Sequence, residues 1–77
     1  MNKLEFLKLN TQSQINFYEE LVNKTMEEIK DCANRNRAHD MVTFLPSKCE
    51  QLKEYTLTLK LLKDKMDALN FLEKENN

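Results

Sequence analysis

The stretch SKCEQLKEYTLTLKLLKDKMDALNFL, residues 47–72, decides the fold. Leu52, Tyr55, Leu59, Leu62, Met66 and Leu69 follow one another at alternating steps of three and four. That is the a/d pattern of a heptad held for about three repeats, the spacing that keeps one seam of a helix turned toward a partner helix. The inner segment YTLTLKLL also alternates as a strand would. Its flanks keep the helical spacing and no turn residues bound it, so the pattern predicts helix. The start is read from Pro46 and from Ser47-Lys48-Cys49-Glu50, an S-x-x-E capping box. There the serine oxygen would accept from the N–H of residue 50 while Glu50 reaches back to the cap. A helix over 47–74 follows.

This helix carries a second set of apolar residues. Leu57, Leu61, Ala68 and Leu72 recur at helical spacing, roughly 120–180° from the first stripe at about 100° per residue. A helix that is apolar on two sides must be covered on both.

Upstream, residues 11–34 read as an amphipathic helix capped by Thr11 or Ser13. Ile15, Tyr18, Val22, Met26, Ile29 and Ala33 form its stripe, and Leu21, Thr25 and Cys32 widen it. Phe17 sits off the stripe. The first helix can cover one side of the second as an antiparallel hairpin partner. Leu4, Phe6, Leu7 and Leu9 predict a short N-terminal helix, split from the first near Asn10-Thr11 and folded back over the second. It is too short to cover a helix of about 40 Å. A second copy of the chain or a foreign protein is left to cover the remainder.

The totals agree with an all-α chain of one small domain, 1–77. Glycine is absent and proline occurs once, which removes most tight turns and disfavours β structure. Charged residues at 32% beside hydrophobic residues at 40% suit amphipathic helices and argue against disorder. A chain this short buries only about 60% of its unfolded surface, so oligomerisation would add needed stability. Lys and Arg (12) balance Asp and Glu (13), without the basic excess that phosphate contacts require. The N-terminal MNKLEFLKLN is too polar for a signal-peptide core, and no apolar run approaches the roughly 20 residues of a membrane span. A cytoplasmic chain without membrane contact is expected, with Cys32 and Cys49 as free thiols.

Residues 31–50, DCANRNRAHDMVTFLPSKCE, gather both cysteines, the single histidine and proline, and both arginines. Cys32, His39, Asp40 and Cys49 are ligand types, but the spacing C-x6-H-x9-C lacks the close pairs that structural zinc sites use, so no metal is expected. A disulfide would need the two Cα atoms within about 7 Å. The simpler expectation is two small hydrophobes on the inner faces. A cysteine–histidine pair has the parts of a nucleophile and base, yet a glycine-free helical chain offers little material for a concave site, so neither enzyme nor cofactor is expected. Arg35 and Arg37, with Asn34, Asn36 and His39, form a small rim that can meet phosphates. Beside it stands the plainer role of complementing the C-terminal end of the first helix. Met41, Val42, Phe44 and Leu45 are expected to plug the closed end of the hairpin, with a short helix over 38–44.

The fold expectation is thus a long antiparallel helical hairpin, about 11–34 and 47–74, with a short N-terminal helix, dimerising into a helical bundle. The leading functional expectation is a non-enzymatic protein-interaction module, an adaptor, regulator or inhibitor. Leu57, Leu61, Phe71 and Leu72, then Phe17 and Phe44, would meet the partner. The Lys- and Asn-rich, glycine-free composition is that of an AT-rich genome and points to a phage or mobile element of a low-GC bacterium. Two alternatives are a dimeric nucleic-acid-linked regulator using the Arg35/Arg37 rim, and a structural scaffold oligomer.

Overall fold

The computed structural model describes residues 2–35 and 37–75, and among these every residue but Asn2 and Arg37 is helical. Helix α1 spans Lys3–Arg35. A π-helical turn, Asp40–Phe44, leads without a break into α2, Leu45–Glu75.

Helix α1 starts earlier than expected because its cap lies earlier. The side-chain Oδ1 of Asn2 accepts the Glu5 N–H at 2.8 Å. The Phe6 N–H donates to the Asn2 carbonyl at 3.1 Å. The first bond is the cap side chain satisfying an orphan donor, the second is the opening bond of the helix, and the acid in the first turn complements the helix dipole. No glycine or proline follows before Arg35, so nothing stops the helix. The separate N-terminal helix and the split at Asn10-Thr11 are therefore corrected. Thr11 is no cap; it sits inside α1 and is fully buried.

The second correction concerns Pro46, which lies inside the second arm rather than ahead of it. Helical backbone resumes at Ala38. Proline offers no N–H, and its ring presses on the carbonyl four residues back. Immediately ahead of it the Leu45 N–H reaches five residues back, to the Asp40 carbonyl, and this wider turn takes up the misfit. Ser47 is then the third residue of α2. The turn before it already occupies the donors that a capping box would satisfy, so Ser47-x-x-Glu50 does not open the helix. The expected twelve-residue connector shrinks to the few residues between Arg35 and Ala38. Thr43 braces the π turn by donating its hydroxyl to the His39 carbonyl at 2.8 Å.

The two arms run antiparallel. Lys8 pairs with Glu73 at 3.0 Å near the open end, and Lys48 with Glu28 at 2.9 Å near the closed end. The hairpin measures 57 × 17 × 14 Å. Its seam keeps a strict 3-4 step on both helices. On α2 the stripe Leu52, Tyr55, Leu59, Leu62, Met66, Leu69 faces inward as the sequence predicts, extended by Leu45, Lys48 and Glu73. On α1 the inward residues are Leu4, Lys8, Thr11, Ile15, Tyr18, Val22, Thr25, Ile29 and Cys32. Met26 and Ala33, expected in the stripe, are exposed. A coiled pair follows 3.5 residues per turn, which selects Thr25 and Cys32 over their neighbours one position on. Buried residues are few among those described: Ile15, Cys32 and Leu69, with Thr11 and Thr25. Two helices make one layer and cannot enclose more.

Candidate functional site

With one seam between two helices, the hairpin has two broad sides, and they differ in chemistry. Residues one step beyond the seam on both helices share the first side. There Gln12, Glu19, Lys63 and Asp67 surround the seam residues Ile15 and Met66 in an open groove. Asn16, Asn23, Lys53, Lys60 and Asn70 continue this polar surface by heptad position, interrupted by the exposed Leu9 and Met26.

The second side is apolar along its middle. Helix α1 brings Leu7, Phe17 and Leu21 to it, and α2 brings Leu61, Ala68 and Leu72. Leu57 and Phe71 stand on the back of α2, opposite the seam and between the two sides. Phe17, Leu57, Leu61, Phe71 and Leu72 are each between 50% and 62% exposed, so the hairpin itself leaves them uncovered. Phe17 is held edge-on against Tyr18, ring centroids 5.5 Å apart, and Tyr18 in turn meets Tyr55 across the seam at 6.1 Å. This aromatic chain ties the exposed ring to the core.

Three of the six expected contact residues, Phe17, Leu61 and Leu72, thus fall on one side, and Leu57 and Phe71 stand on the back of α2. The sixth, Phe44, is half-buried at the closed end, with the Lys48 ammonium 5.4 Å from its ring centroid. Phe44 and Leu45 form the plug there, while Met41 and Val42, expected to share it, are exposed. Leu7 and Leu21 are not among the expected contact residues; the sequence assigns Leu21 to the inner stripe of the first helix and Leu7 to the N-terminal segment. Their signal was the seven-residue step Leu7, Gln14, Leu21, which runs along the flank of the seam.

The closed end brings the other expected residues near one another without building a site. Arg35 Nε lies 3.6 Å from Asp40, so part of the basic rim is answered within the chain. Arg37 is exposed, and Asn36 lies outside the described residues. Both thiols are free. Cys32 is buried in the seam as expected, whereas Cys49 is exposed on the flank rather than on an inner face. Among the described residues no three His, Cys, Asp or Glu side chains gather to hold a metal ion. Nor is any helix there long and apolar enough to cross a membrane. Comparison with protein-family models, curated proteins and solved structures returns no match.

Proposed function

We propose that this chain is a protein-interaction module whose apolar side is covered by further helices, completing a helical bundle. The observation that carries this reading is the contrast between the two sides. Gln, Asn, Lys and Glu dominate one, with Leu9 and Met26 as its exposed apolar residues, and Leu61, Leu72, Phe17, Leu7 and Leu21 line the other. A hairpin meant to stand alone in water would need polar residues on both, since contiguous exposed apolar surface marks a contact site. The mechanism is steric and needs no chemistry: leucine and phenylalanine side chains interdigitate with those of another helical layer, and charged margins set the register. An adaptor, regulator or inhibitor works in this way.

Photo-crosslinking tests the reading directly. A benzophenone amino acid at Leu61 should give covalent adducts, to itself or to another protein, in cells and in purified form. The same group at Asn16 on the polar side should give none. Equal yields from both positions, or none from Leu61, would defeat the proposal.

A further inference from the structure

The apolar side also carries charges, and their placement says what lies on it. At the open end Lys3 belongs to α1 and Glu75 to α2; toward the closed end Lys24 belongs to α1 and Glu54 to α2. All four are exposed, occupy the same heptad position on the apolar side, and stand outside the ion pairs recorded among the described residues. Asp31, exposed at the same position of α1 beyond Lys24, adds one acid nearer the closed end, level with Ser47; at the other such positions the charges are basic on α1 and acidic on α2. In the middle stands one charge, Lys65, level with Gln14. The Lys8–Glu73 and Glu28–Lys48 pairs fix these levels, since they show which residues of the two arms lie side by side.

We infer that the occupant of the apolar side is a second copy of this chain, related by a two-fold axis that runs along the hairpin, so that α1 of each copy lies on α2 of the other. The inference rests on the interaction reading above and names its partner. Area supports a second copy. The chain exposes 5920 Å². A compact monomer of 9.2 kDa would expose about 4,900 Å². The excess, roughly 1,000 Å², is close to the ~800 Å² per partner that a stable interface removes. The Cα radius of gyration, 17.3 Å, likewise exceeds the ~11.5 Å of a compact chain of this length.

Charge then selects the axis. With the two-fold along the hairpin every residue keeps its level. Lys24 meets Glu54 of the second copy, Lys3 meets Glu75, and Lys65 meets Gln14. Apolar residues coincide as well, Leu7 over Leu72 and Phe17 over Leu61, while Leu21 meets Thr58. The alternative two-fold runs across the hairpin and stacks α1 on α1 and α2 on α2, end for end. Centred so that apolar residues cover one another, Leu7 over Leu21 and Leu61 over Ala68, it sets Lys3 against Lys24, Glu54 against Glu75, and Lys65 against itself. Like charges at close range oppose association, so the lengthwise axis wins and both closed ends lie at one end of the bundle.

Sedimentation equilibrium of the full chain with reductant should show a dimer, and Lys24→Glu should raise its dissociation constant about three- to tenfold, two margin pairs being lost per dimer. Glu54→Lys should do the same, and the double variant should restore the parent value. The crosswise axis predicts the opposite sign, because Lys24→Glu would then face Lys3 and tighten the dimer. A spin label on the Ser47→Cys, Cys49→Ser variant gives a second readout, with the buried Cys32 left unlabelled. The lengthwise axis places the labels within about 25 Å, one bundle width, and the crosswise axis about 54 Å apart along the helices. A long distance or a tightened Lys24→Glu dimer overturns the axis. A monomer at all concentrations overturns the second copy as occupant. If Leu61 still crosslinks a foreign protein in that case, the interaction reading stands without it.

Discussion

Replacing Thr11 by valine should stabilise this protein, although it removes a hydroxyl from a position where threonine is native. Thr11 is fully buried in the seam, and its Oγ1 has no hydrogen-bond partner. Burying an unsatisfied hydroxyl costs about 1–3 kcal/mol by protein mutational scales. Valine has nearly the same shape and nearly the same helix propensity, so the packing is kept and that cost disappears. A gain of about 1–2 kcal/mol is expected, which in a chain of this size raises the thermal midpoint by roughly 5–15 °C. Thr25 is the internal control. It is also buried in the seam, but its hydroxyl donates to the Leu21 carbonyl at 2.8 Å. Thr25→Val gives up a satisfied bond while the Leu21 carbonyl keeps its helical donor, so its midpoint should move by less than about 0.5 kcal/mol in equivalent. Thermal melts by circular dichroism, all at one protein concentration because association shifts the midpoint, decide the matter. If Thr11→Val melts at or below the parent temperature, or moves no further than Thr25→Val, the Thr11 hydroxyl has a partner and the reasoning fails.

Three further outcomes follow from the same structure. Asn2→Ala removes the side-chain acceptor of the Glu5 N–H and should cost about 1 kcal/mol at the start of α1, seen as faster amide exchange at Glu5; Asn2→Asp should keep the protection. Ellman's reagent should titrate one thiol in the native state, Cys49, and reach Cys32 only on unfolding; two fast thiols would contradict the burial of Cys32. Lys48 and Glu28 meet in a half-buried layer of the seam at 2.9 Å, so a double-mutant cycle with Lys48→Met and Glu28→Gln should show a coupling of about 0.5–1 kcal/mol that weakens with salt, and zero coupling would remove their role in setting register.

How much of this was legible depended on which residues filled the seam. On α2 nearly every inward position is a large apolar residue, so the heptad could be read directly from Leu52 to Leu69. On α1 the inward positions include Lys8, Thr11, Thr25 and Cys32, which hydropathy ranks low or ambiguous, while Met26 and Ala33 rank higher and lie one step outside. Hydrophobicity thus pulled the stripe off its true frame. Spacing alone would have held it, because Ile15, Tyr18, Val22 and Ile29 already keep the 3-4 step that runs through Thr25 and Cys32. The capping errors share one cause. Ser47-x-x-Glu50 is a valid signal for a free helix start, and the π turn ahead of Pro46 removes the free start. Asn2-x-x-Glu5 carried the same kind of signal and was the cap in use. The apolar side was visible as a second stripe on α2. That α1 contributes to the same side through Leu7, Phe17 and Leu21 follows only once the seam frame is fixed.

The small residues of α1 explain why this side exists at all. By the levels that the two ion pairs set, Thr11 lies near Leu69, Thr25 near Leu52 and Cys32 near Leu45. A short side chain against a long one lets the helices approach closely, and that is how a two-helix unit can bury Thr11 and Cys32 completely. The same closeness makes a flat hairpin, 14 Å in its thinnest dimension, whose flanks lie beyond the reach of either helix. Whatever apolar residues stand on those flanks must be covered by another layer. Here most of them stand on one flank, and the other is mainly polar, with Leu9 and Met26 as exposed apolar residues. A layer with one apolar side closes when it meets a single partner layer, whereas an open scaffold needs two adhesive sides so that each addition exposes a new one. For the interaction proposed above, the asymmetry of the hairpin therefore favours a closed two-layer assembly over an extending one, in which the polar side, with Lys53, Lys60 and Lys63, would be the outer surface.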